Sequence, residues 1–300
     1  MNRLRYGQKS DVLAQDRHLL NKVPEITLSF WIIKVFCTTV GETVADFLNV
    51  QLHLGLTGTT VAMSGILGVV FLFQFATRRY IPGIYWLAVV LISIVGTLIT
   101  DNLTDNLGVS LETATGVFGI VLLATFALWY ASEKTLSVHT IYTRRRESFY
   151  WLAILFTFAL GTAAGDLLAE RFNLGYTVSA LLFGVVIAMV TLAHLRFKLN
   201  AILAFWIAYI VTRPLGASLG DYLSQARDDG GLGLGTTLTS ALFLGVIFLT
   251  VIYVTITRKE PAPRAEAAIP AEHLLVDPQS TFAREPVKTP AGYGQDLMDQ

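Results

Sequence analysis

Four apolar stretches of this 300-residue chain each carry a polar stripe when followed in steps of four. The stripes read Lys34, Thr38, Glu42 and Asp46; Ser93, Thr97, Asp101 and Asp105; Phe158, Thr162, Asp166 and Glu170; and Tyr209, Arg213, Ala217 and Asp221. Residues four apart lie on one face of a helix. Each of the first three stripes becomes more acidic along the chain, and the fourth ends on an acid. The carboxylates of Glu42, Asp46, Asp101, Asp105, Asp166 and Asp221 are oxygen ligands, which suit hard cations such as Mg²⁺, Mn²⁺ or Ca²⁺ better than soft ones. Arg213 and Lys34 are the basic residues within the stripes. They would act as counter-charges that keep a cation from binding too tightly to leave.

Other chemistry is missing. The sequence has no HExxH, no phosphate-binding lysine loop, no GxSxG and no paired Cys/His ligand set, and its one cysteine is Cys37. GTAAGD and GASLGD resemble the Gly-Asp motif of intramembrane aspartyl proteases, but the Tyr-Asp partner motif is absent. The expectation is therefore a protein that is not an enzyme, carries no cofactor and binds no nucleic acid. The identity of any metal is left unknown.

The elements that must position the stripes are membrane spans. Hydrophobic residues make up 53% of the chain and charged residues 15%, and mean hydropathy is +0.57. Soluble domains carry about 25% charged residues. Eight apolar runs fall near 28–49, 58–77, 82–103, 111–132, 148–169, 176–195, 199–222 and 236–257. A transmembrane helix needs about 20 such residues. The expected fold is all-α, a polytopic integral membrane protein with eight transmembrane helices. Of the 22 lysines and arginines, 18 fall on the side that receives both termini and the 2–3, 4–5 and 6–7 loops. The positive-inside rule places that side in the cytoplasm, and the bilayer is then the inner, plasma membrane.

The odd-numbered runs align as FWIIKVFCTTVGETVADFL, YWLAVVLISIVGTLITDNL, YWLAILFTFALGTAAGDLL and FWIAYIVTRPLGASLGDYL. Each opens on an aromatic–Trp pair (Trp31, Trp86, Trp151, Trp206), with a glycine ten residues on (Gly41, Gly96, Gly161, Gly216) and an aspartate five beyond that. The even runs open on LGLT, LGVS, LGYT and LGLGTT. The chain thus reads as four parallel two-helix repeats, at about 27–79, 80–133, 147–197 and 198–257 within a transmembrane domain of 27–257. Residues 1–26 form a cytoplasmic N-terminal tail, and the proline-rich 258–300 a disordered cytoplasmic C-terminal tail. Tandem two-helix units, four per chain and each with its Trp, resemble a bacterial membrane-repeat family of unknown function whose members are described as uncharacterised membrane-anchored proteins. The resemblance covers about 230 residues and implies the fold and the compartment. It implies no activity.

Lipid penalises the stripes, so they should face the bundle interior, with the repeat glycines allowing close helix contact. Asp46 lies about 27 Å along a helix from Leu28, so the four aspartates sit near the outer edge of the hydrocarbon. Two readings compete there. Each aspartate could accept hydrogen bonds from free N–H groups starting the next even helix, or the four could form a cation-attracting ring at a pore mouth. Glu112 opens the fourth run and stands outside the repeat pattern. Arg213 is read either as a functional group or as an ion-pair partner of Glu42 or Asp46. Lys34 is expected to snorkel toward the cytoplasm, and Pro214 to kink the seventh helix. The leading functional expectation is a permease for a small cation, either a divalent metal or a proton-coupled substrate. The alternative is a non-transporting membrane scaffold or regulator, whose tail contacts a cytoplasmic protein.

Overall fold

The computed structural model describes residues 21–257. The readings that concern residues 1–20 and 258–300 lie outside the described residues. Among the described residues there are eight long helices and no strand: α1 Leu28–Asp46, α2 Leu56–Ala76, α3 Pro82–Asp101, α4 Leu111–Glu133, α5 Arg144–Asp166, α6 Gly175–Phe197, α7 Ala201–Ser224 and α8 Thr236–Thr257. All eight are long and apolar enough to cross a membrane. Local chemistry sets several of the starts. Thr27 caps α1, Ser110 caps α4, Thr143 caps α5 and Asn200 caps α7, each side chain accepting from a backbone N–H of the first turn, and Pro82 occupies the first turn of α3. The helix α7 runs through Pro214 to Ser224.

The odd helices form a closed ring, in which α1 packs on α3, α3 on α5, α5 on α7, and α7 back on α1. The even helices lie outside it. Between 56% and 78% of each odd span is buried, against 11% to 22% of each even span. Leu72, Leu123, Leu181 and Leu249 are among the exposed apolar side chains of the even helices. An apolar surface of this extent would face lipid.

The sequence unit joins each odd helix to the even helix after it. In space, however, α2 lies mainly against α3, α4 against α5, α6 against α7, and α8 against α1. Each even helix therefore clamps the next unit, and the last closes on the first. Side chains fix this shift at the end of the ring that carries the acids. The Asn102 amide donates to Thr60 Oγ1 of α2 at 2.7 Å, and Arg171 pairs with Glu112 of α4 at 2.9 Å.

The repeated glycines sit where ring helices meet. A Cβ on Gly41 would lie 2.6 Å from Cβ of Ser93, on Gly96 2.6 Å from Cβ of Phe158, on Gly161 2.6 Å from Cβ of Arg213, and on Gly216 2.5 Å from Cβ of Thr38. Each contact pairs the glycine of one odd helix with the same register position on the next, closing from α7 to α1. Lipid is as apolar as a leucine side chain, so close packing rather than hydrophobic burial holds such helices together.

Candidate functional site

The four stripes converge on the axis of the ring, and the arrangement can be followed from the basic end, where α1 begins and α8 ends, to the acidic end. The aromatic–Trp pairs form a collar at the basic end. Phe30 meets Trp86 at 5.6 Å, Tyr85 meets Trp151 at 5.5 Å, Tyr150 meets Trp206 at 6.3 Å, and Phe205 meets Trp31 at 5.7 Å, between ring centroids. The first aromatic of each unit thus touches the tryptophan of the next, again in a closed cycle. The hydroxyls of Tyr85 and Tyr150 share a 2.5 Å hydrogen bond within the collar. Below it, the segment before α1 is tied to the bundle. The buried Lys22 ammonium pairs with Glu147 of α5 at 2.6 Å, and the Gln74 amide of α2 donates to the same carboxylate at 3.0 Å.

Lys34 lies one layer above the collar. It does not snorkel. Its side chain is 1% exposed, and the ammonium stands 4.4 Å from the centroids of both the Phe158 and Tyr209 rings. Two turns do not suffice to reach water because α3, α5 and α7 enclose this level of α1, and the collar covers it. The Nζ atom has no hydrogen-bond partner among the described residues.

Arg213 occupies the centre. It is fully buried. Its Nη2 faces three oxygens with two hydrogens: Glu42 Oε2 of α1 at 2.8 Å, Thr162 Oγ1 of α5 at 2.7 Å, and Thr97 Oγ1 of α3. The Thr97 hydroxyl also donates to Glu42 at 3.5 Å. One side chain therefore joins all four ring helices. The register explains it. Glu42, Thr97, Thr162 and Ala217 are equivalent positions, and Arg213, one turn earlier on α7, reaches into the space that the small Ala217 leaves. Thr97 and Thr162 belong to the stripes, but their types alone do not single them out. What marks them is their register opposite an arginine.

The aspartates come next. Asp46, Asp101, Asp166 and Asp221 stand at one register, one per ring helix, each within electrostatic reach of Glu42. None of the four carboxylates takes a hydrogen bond among the described residues. The expected bonds to the even-helix N-termini are not made. After Asp46, Asp101 and Asp166 the chain passes into a wider π-helical turn, at Phe47–Gln51, Asn102–Asn106 and Leu167–Arg171. The helices that follow, α2, α4 and α6, lie outside the ring, each on the next ring helix. Such turns recur at functional sites. Asp105 and Glu170 lie on them, exposed, within electrostatic reach of Asp46. Glu112, outside the axis, serves its pair with Arg171. Among the described residues, no three His, Cys, Asp or Glu side chains are grouped to hold a metal ion. The acids gather at one end of the ring without forming a chelating cage.

A family model described as Repeat of Unknown Function (DUF347) matches the chain four times, at residues 29–80, 84–135, 149–200 and 204–260. No curated protein and no solved structure matches it.

Proposed function

The chain belongs to the DUF347 family of repeats of unknown function, and from the geometry of its axis we propose that it is a membrane permease for a small cation. The observation that carries this reading is the set of four aspartates, one per repeat, held at one register with no protein hydrogen bond among the described residues. A carboxylate kept for structure finds donors. These four are left to interact with what enters the mouth.

The acidic end faces outward in this reading, with both termini in the cytoplasm of a plasma membrane, an orientation that the excess of basic residues in the loops at the other end supports. Spread around a mouth, the acids raise the local concentration of a hydrated cation. The Arg213–Glu42 pair, bonded across the ring at 2.8 Å, is the barrier that must open for passage. Protons and hydrated monovalent cations suit such a mouth better than a divalent metal held by three or more ligands. No chemical transformation is assigned to the site.

A second reading rests on a different observation. The axis is closed by Arg213 at its centre and by the aromatic collar at its basic end. A ring that never opens would make the chain a non-transporting scaffold, with its tails available to a cytoplasmic protein.

Reconstitution separates the two. Proteoliposomes loaded with a pH- or Na⁺/K⁺-sensitive dye should show flux that falls several-fold in Asp46→Asn/Asp101→Asn. No flux of any of these ions above empty liposomes, from protein shown to be folded and inserted, rejects the permease.

A further inference from the structure

We infer that the axis binds a small monovalent anion between Lys34 and Arg213. Charge is the first ground. Two bases and one carboxylate of the stripes are buried between the collar and the aspartates: Lys34, Arg213 and Glu42. Glu42 is committed to Arg213 at 2.8 Å. The ammonium of Lys34 is left with two aromatic faces and no acceptor among the described residues. Aromatic faces offset only part of the cost of dehydrating an ammonium.

Proximity is the second ground. The two cations lie against one ring, Lys34 Nζ at 4.4 Å and Arg213 Cζ at 5.7 Å from the centroid of Phe158. Two positive charges against one ring in a low dielectric repel, and of the two only Arg213 has a carboxylate bonded to it. The unsatisfied atoms are the third. Besides Lys34 Nζ, the buried Arg213 Nε and Ser93 Oγ have no partner among the described residues. Ammonium and Nε–H can only donate, so what is missing is an acceptor. The unmatched charge is one, so the ligand is monovalent. Lys34 is 1% exposed and Arg213 fully buried, so the ligand must shed its water and be small, of halide size. With that ion in place the middle of the axis is neutral, whereas the bare arrangement repels any cation arriving from the acidic mouth.

The test is equilibrium binding of radiolabelled chloride to the purified full chain in detergent micelles, with gluconate holding ionic strength constant. Saturable binding of one chloride per chain is expected, with affinity lowered at least tenfold in Lys34→Met, which keeps the side-chain length. Ser93→Ala, which loses one donor and no charge, should bind about threefold to tenfold more weakly, and it localises the ion if Lys34→Met does not fold. Absence of saturable binding by the wild-type chain overturns the inference, and so does undiminished binding by Lys34→Met or by Ser93→Ala. Binding is read without flux, so this result stands apart from the liposome assay for cations.

Discussion

Arg213 of α7 donates to Glu42 of α1 at 2.8 Å, so the last ring helix is bonded to the first across the axis. No loop makes that join, because α1 and α7 are far apart in sequence. The chain crosses this seam through α8, which follows α7 and packs on α1, where the Ser240 and Thr43 hydroxyls bond at 2.8 Å. The pair's neighbours follow the same seam. The Thr38 hydroxyl of α1 donates to the Thr212 carbonyl at 3.3 Å, and Trp31 meets Phe205 in the collar at 5.7 Å.

Removing one partner of this pair should cost more than removing both. A buried charge left alone costs about 3–5 kcal/mol, whereas a neutral pair of similar volume is often tolerated. Glu42→Gln leaves the guanidinium buried with neutral acceptors only, among them the Thr38 carbonyl at 3.5 Å, and Arg213→Met leaves Glu42 with Thr97. The double variant Glu42→Gln/Arg213→Met should recover at least half of the larger single loss. Unfolding in mixed micelles across the four proteins measures it. Strictly additive losses would mean that the two side chains act independently.

The glycine contacts give a sharper contrast. Gly161→Ala and Gly216→Ala place a methyl group within the van der Waals shell of Arg213 and Thr38, where overpacking costs about 1–3 kcal/mol. Nothing lies within 4 Å of a Cβ at Gly58 or Gly184, on α2 and α6. There the same change should stabilise, by up to about 1 kcal/mol through helix propensity. Equal effects at the four positions in a thermal-stability assay would contradict this ring packing.

Much of this arrangement was legible in the sequence and part was not. The Trp-Gly-Asp spacing announced four units, and the stripes announced an interior polar axis. The step from each even helix to the next unit was not legible. Three of the four steps follow a π-helical turn, after Asp46, Asp101 and Asp166, and nothing in FLNVQ, NLTDN or LLAER marks that widening, whereas α8 makes the same step after Ser224 without one. Lys34 misled for a related reason. Its distance from the helix start allowed snorkelling, but burial is set by three neighbouring helices that one helix's sequence does not show.

The strap before α1 should contribute stability at the basic end. Glu147 is fully buried and takes bonds from Lys22 at 2.6 Å and from Gln74 at 3.0 Å. Lys22→Met leaves that carboxylate with an amide alone, so a loss of about 3 kcal/mol or more is expected. Lys22→Met/Glu147→Gln should restore part of it. Limited proteolysis near residues 21–27 would also accelerate in Lys22→Met if the strap is released. Unchanged stability and unchanged cleavage would show that the ion pair does not hold the segment down.

The aspartates should behave differently from every residue above. They take no hydrogen bond among the described residues, so neutralising them breaks no bond that the fold uses. Asp46→Asn, Asp101→Asn, Asp166→Asn and Asp221→Asn should each leave thermal stability unchanged or slightly raised, because four like charges at one register repel. Their effect belongs to the mouth. Each carboxylate near a protein–water boundary is worth about 1 kcal/mol of attraction for a monovalent cation, or about fivefold in local concentration. Cation flux into proteoliposomes should therefore drop stepwise as acids are removed, and the drop should shrink at high salt, where a Debye length of about 3 Å at 1 M screens the mouth. Loss of stability in the single variants, with flux per folded chain unaltered, would instead assign the four aspartates to the fold.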